Sequence, residues 1–60
     1  MRTEEEIRAE IRVLEQRAAK YRLKAETEPR RELRDNAKVM SDLYLAERNT
    51  LKWVLNEKDN

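Results

Sequence analysis

Ile7, Ile11, Leu14, Ala18, Tyr21 and Ala25 recur four, three, four, three and four residues apart. That spacing lines one face of an α-helix as a coiled-coil seam. Ahead of it, Thr3 and Glu6 have the spacing of a capping box, in which the Thr hydroxyl and the Glu carboxylate each accept from the other residue's backbone N–H, so helix one is expected to begin at Thr3. Glu4, Glu5 and Glu6 put negative charge in the first turn, where the helix dipole favours it, and need no metal-binding or catalytic role. The rhythm fails after Ala25, because continuing it would bring Glu28 and Glu32 inward. Pro29 disfavours helical geometry at Glu28 and suits the first turn of a new helix, with Thr27 or Glu28 as its cap. The expected layout is helix one over about 3–26, a turn at about 27–29 and helix two over about 30–57. One alternative is a single long helix kinked at Pro29, at a cost of about 3 kcal/mol. Another is a break near Asp35 and Asn36, although Leu33 already belongs to the pattern that follows. The turn lacks Gly or Asn, which weighs against a hairpin, since helices so often end on a left-handed residue.

Helix two repeats Leu33, Ala37, Met40, Tyr44, Glu47, Leu51 and Val54 in the same four-three rhythm. Its apolar stripe is the broader of the two: at about 100° per residue, Val39, Leu43 and Thr50 extend it on one side and Leu55 thickens its end. One partner helix cannot cover so wide a face. The predicted fold is therefore all-α, an antiparallel two-helix coiled-coil hairpin that dimerises into a four-helix bundle. Trp53 lies beside Ala46 and near Val39 on the helical wheel, where a large aromatic anchors subunit contacts. Val39, Leu43, Ala46, Thr50, Trp53 and Val54 are the expected surface for self-association or for another partner. Glu47 is the one ionisable side chain on this seam, level with about Glu10 and Ile11, and a paired polar layer there is expected to fix register. Exposure at a loosened seam and a ligand role are the other readings of Glu47. Tyr21 and Tyr44 read as core residues, Val13 as a widening of the first seam, and Leu23 and Leu45 as lying off both stripes, where the two can share an exposed patch. The flanks of helix one carry Arg8, Glu15 and Arg22 on one side and Glu10, Arg17 and Lys24 on the other, positions that choose partner and orientation more than they stabilise.

Composition agrees with long helices: there is no Gly, one Pro, and an excess of Ala, Leu, Glu, Lys and Arg. Charged residues make up 45% of the 60-residue chain and aromatics 5%, a disorder-like mixture, but the net charge of +1 and the regular apolar spacing predict an ordered domain. A chain this short buries only about 60% of its unfolded surface, which makes a second chain the natural remedy. The longest apolar runs, Leu43–Ala46 and Trp53–Leu55, are far below the roughly 20 residues needed to span a bilayer. The N-terminus goes straight into acidic residues with no secretory pattern, so a cytoplasmic location is expected, with no membrane partner.

Candidate chemistry is sparse. Without Cys or His, and with Ser41 as the only serine, there is no nucleophile–base pair, no Glu-x-x-His di-iron motif, no Gly-rich phosphate loop and no EF-hand spacing. The expectation is a non-enzyme with no cofactor and no metal. Charge is segregated: residues 17–38 sum to +4, residues 1–16 to −2 and residues 39–60 to −1. Arg30, Arg31 and Arg34 therefore sit at a basic hairpin tip able to meet phosphates or an acidic protein surface. No base-stacking aromatic accompanies them, and local acids such as Asp35 opposite Arg31 can neutralise them.

The charge-dense first helix, the short turn and the closing Leu51-Lys52-Trp53-Val54-Leu55-Asn56-Glu57 resemble small helical-hairpin proteins encoded by tailed bacteriophages. That resemblance implies an accessory or host-modulating binder with no catalytic residues. The expected function is a protein–protein interaction module (an adaptor, inhibitor or regulator) that forms a homodimer and binds a further, unidentified protein. The alternatives are a nucleic-acid-binding accessory protein using the basic tip, and a purely structural bundle subunit.

Overall fold

In a computed structural model that describes residues 3–59, two α-helices, α1 over Glu4–Thr27 and α2 over Arg31–Asp59, fold back on each other as a hairpin 45 Å long and 15 Å across. The start of α1 follows from its capping residues. The Glu6 N–H donates to the Thr3 hydroxyl at 3.2 Å and the Ile7 N–H to the Thr3 carbonyl at 3.1 Å. Along α1 the seam faces inward: Ile7, Ile11, Leu14 and Ala18 are buried and Tyr21 and Ala25 half-buried.

The turn forms without a left-handed residue, since no described residue has positive φ. Pro29 does the work that Gly does elsewhere. It holds Glu28 in an extended conformation (φ −72°, ψ 124°), which ends α1 while the Glu28 N–H still reaches the Lys24 carbonyl at 2.8 Å. The Glu28 carboxylate then accepts from the Arg30 N–H at 3.3 Å, ahead of α2, whose first backbone bond runs from Arg34 to the Arg30 carbonyl at 3.0 Å. Thr27 belongs to α1, where its hydroxyl donates to the Leu23 carbonyl at 2.9 Å. Glu28 is therefore the residue that serves both helices.

The inward seam of α2 differs from the expected one. Two four-three frames share Ala37, Tyr44 and Leu51; one adds Met40, Glu47 and Val54, the other Ser41, Arg48 and Leu55. The hairpin uses the second. Leu55 is 5% exposed against 37% for Val54, Ser41 is buried, and Glu47 is exposed while Arg48 is half-buried. Glu47 thus does not occupy the seam, and Ser41 and Arg48 make polar contacts across the helices. The physical reason is that a carboxylate on the seam would have lost its water, and the charged residue that shares its groove on α1 is another carboxylate, Glu10. Arg48 instead covers the seam with its stem and carries its guanidinium out to Glu15 at 3.5 Å. The Ser41 hydroxyl donates across the interface to the Ala18 carbonyl at 3.2 Å. Leu45 also departs from expectation: it is half-buried beside Ala19 and Arg22 in the groove between the helices, not paired with the exposed Leu23.

Packing varies along the rod. At the open end Ile7, Ile11 and Leu55 form an apolar cluster with Leu51 against it. In the middle the side chains are small, with Ala18, Ala37 and Ser41 all buried, so the helices approach closely. Beside that point the Tyr21 and Tyr44 rings stack at 5.7 Å between centroids, and the Arg17 guanidinium lies 5.9 Å from the Tyr44 ring.

Candidate interaction face

Because α2 turns Ser41, Arg48 and Leu55 inward, its more apolar positions point away from α1. Val39, Leu43, Ala46, Thr50 and Trp53 follow one another at four, three, four and three residues. All five are exposed, Trp53 at 62%, Val39 at 55% and Leu43 at 53%. They make a second heptad seam on α2, nearly opposite the first, with Val54 at its edge. The Thr50 hydroxyl donates to the Ala46 carbonyl at 3.1 Å, so Thr50 can be covered without stranding a donor. Single exposed leucines need no explanation, whereas here the exposed side chains follow one another along one face of the helix. The structure thus brings together Val39, Leu43, Ala46, Thr50, Trp53 and Val54 on one side of α2.

Glu47 borders this face. With Glu10, Leu14, Thr50 and Leu51 it lines a shallow groove of about 220 Å³ between the helices, at the level that antiparallel pairing requires. Val13, 42% exposed, lies one turn beyond Glu10 on α1. At the open end a second groove of about 340 Å³ is floored by Ile11 and Leu55 and rimmed by Arg8, Arg12, Lys52 and Asn56. The ion pair between Arg8 and Glu4 at 2.7 Å offsets part of that positive rim.

Arg30, Arg31 and Arg34 are exposed at the tip. Arg30 meets the Glu28 carboxylate at 3.4 Å and Arg31 lies 4.0 Å from Asp35, so two of the three have a local counter-charge. The Arg31–Asp35 pair is exposed on both sides and contributes little to stability, whereas in the other pair the Glu28 side chain is only 17% exposed. Among the described residues no group of acidic side chains is gathered as a metal site, and no helix is long and apolar enough to cross a membrane.

Sequence reasoning missed Ser41 and Arg48. Their signal was present in the alternative four-three frame, which carries fewer apolar residues and therefore reads as the weaker seam. The geometry defines a class, a charged two-helix hairpin in which one helix carries two apolar seams. No protein-family model matches the chain, and no curated protein or solved structure matches it either.

Proposed function

We propose that the chain is a small non-enzymatic protein–protein interaction module, an adaptor, inhibitor or regulator, that acts by burying the outer face of α2 against other helices. In this reading a second hairpin covers the face; because that face lies nearly opposite α1, the four helices line up side by side and do not surround one shared core as in the expected four-helix bundle, and the assembled pair engages a further macromolecule. One observation carries the proposal: the exposed seam from Val39 to Trp53, longer and more apolar than a solitary hairpin needs. The likeness of the closing segment to phage-encoded hairpins is in keeping with an accessory binder of this kind.

Light scattering at low micromolar concentration tests it. The wild-type chain is expected to run as a dimer, and Leu43→Glu, which sets a charge in the middle of the face, as a helical monomer. A wild-type chain that stays a folded monomer overturns the self-association. The exposure of Arg30, Arg31 and Arg34 supports a second reading, binding of a nucleic acid at the tip. It predicts affinity for duplex DNA or RNA that falls steeply with salt and is lost when all three arginines become Glu. Binding without that salt dependence, or no binding, removes it.

A further inference from the structure

We infer that the occupant of the outer face is a second copy of this chain lying antiparallel, α2 against α2, about a two-fold axis that passes between Leu43 and Ala46. The inference rests on the self-association proposed above and specifies its geometry.

Surface area comes first. A compact protein of 7.3 kDa presents about 4,200 Å² to solvent. This rod presents 5069 Å². The excess, about 900 Å², belongs to the elongated rod as a whole, 45 Å long and 15 Å across, and a second copy laid along its length is the occupant that covers it most fully.

Side-chain size and charge then choose the direction. An antiparallel two-fold at this point sets Leu43 against Ala46 of the second copy, a large residue on a small one, Val39 against the similarly shaped Thr50, and Trp53 against Asn36. A parallel, in-register pair would stack Trp53 on Trp53 and leave Ala46 on Ala46, uneven layers along one seam. On the flanks, the parallel pair also brings Asp42 against Glu47 of the other copy twice over, two like-charge contacts. The antiparallel pair sets Asp42 against Asn49 instead.

The charge of the whole rod points the same way. The turn half, residues 17–38, carries +4, whereas residues 1–16 and 39–60 carry −2 and −1. Parallel copies place two basic tips side by side. Antiparallel copies place each basic tip against the other's open half, whose −2 and −1 give −3 in spite of the Arg8, Arg12 and Lys52 around its end groove, an arrangement attractive at both ends of the rod.

The chain has no cysteine, so a single introduced thiol carries a spin label at one place only. Asn56 is exposed and lies outside the outer seam. In an antiparallel dimer of Asn56→Cys the two labels stand about 35 Å apart along the axis, from the rise of 1.5 Å per residue, and in a parallel dimer under about 20 Å. A label at Arg34→Cys gives about 31 Å in the antiparallel case and checks the first against local distortion. Dimer affinity read in parallel is expected to weaken several-fold as salt rises from low to physiological strength, because opposite poles are being screened. Labels within about 20 Å, or an affinity that tightens with salt, overturn the antiparallel arrangement and leave self-association standing. A chain that remains monomeric throughout overturns both.

Discussion

Ser41 is the sharpest test of how the two helices meet. It is buried, its hydroxyl donates to the Ala18 carbonyl at 3.2 Å, and it faces α1 where Ala18 and Ala37 are also buried. A seam read by apolar content alone would gain from a leucine here. The burial says the opposite: Ser41→Leu adds two heavy atoms at a buried position that lies within hydrogen-bond distance of the α1 backbone, and overpacking of this kind costs about 1–3 kcal/mol. Ser41→Ala separates size from hydrogen bonding. It loses a bond of about 1 kcal/mol, regains about 0.5 kcal/mol in helix propensity, and leaves the Ala18 carbonyl bonded within its own helix, so it should fall within about 0.5 kcal/mol of wild type. Urea unfolding followed by the helical circular-dichroism signal, at one fixed chain concentration, measures both. With a slope near 1 kcal/mol per molar urea, the leucine variant should lose about 1–3 M in midpoint. A leucine variant as stable as wild type, or more so, would show that α2 does not present Ser41 to α1 and that the frame through Met40 and Val54 is the correct one.

Thr3→Ala removes the side chain that receives the Glu6 N–H and should lower stability by about 1 kcal/mol in the same assay, with no effect if the first turn is frayed in solution. A double-mutant cycle on Glu15 and Arg48 should give a coupling below about 1 kcal/mol, because the pair is partly exposed at 3.5 Å. Arg48→Ala should nonetheless cost more than Glu15→Ala, and Arg48→Met should recover most of the difference, since the buried stem contributes more than the charge; equal losses would contradict that. Pro29→Ala should destabilise the hairpin by about 0.5–1 kcal/mol, through a freer unfolded chain and a Glu28 no longer held out of the helix, whereas a gain in stability would mean that Pro29 strains the turn.

Much of this fold is legible in the sequence, and the part that is not has a specific cause. The first helix could be read residue by residue because every seam position from Ile7 to Ala25 is apolar and its cap is a standard pairing of Thr3 with Glu6. The turn could be placed to within one residue because Pro29 constrains its neighbour, even though no glycine marks it. The frame of α2 could not be chosen by counting apolar residues. Ser41 and Arg48 look polar in a one-letter pattern, yet a hydroxyl bonded to a carbonyl and an arginine lying along its stem both fill seam positions. Glu47 was drawn inward by that count and belongs outside. The outer residues Val39, Leu43 and Trp53 were recognisable as surplus in either frame, because no single partner helix could cover them together with Leu51 and Leu55.

The choice of frame has an energetic consequence that reaches the function. In this hairpin the inward positions of α2 include Ala37, Ser41 and Arg48, which contribute little apolar area, while Val39, Leu43 and Trp53 face outward. Hydrophobic stabilisation grows with apolar area removed from water, so a solitary hairpin leaves a large share of its available driving force unused. In the proposed assembly, covering the outer face recovers it, and folding and association are then linked: the fraction of folded chain is expected to rise with concentration, as it does whenever only the native state binds its partner. A substitution at Leu43 or Trp53 should therefore lower thermal stability at micromolar concentration while leaving the contacts inside the hairpin intact, which separates a defect in assembly from a defect in folding.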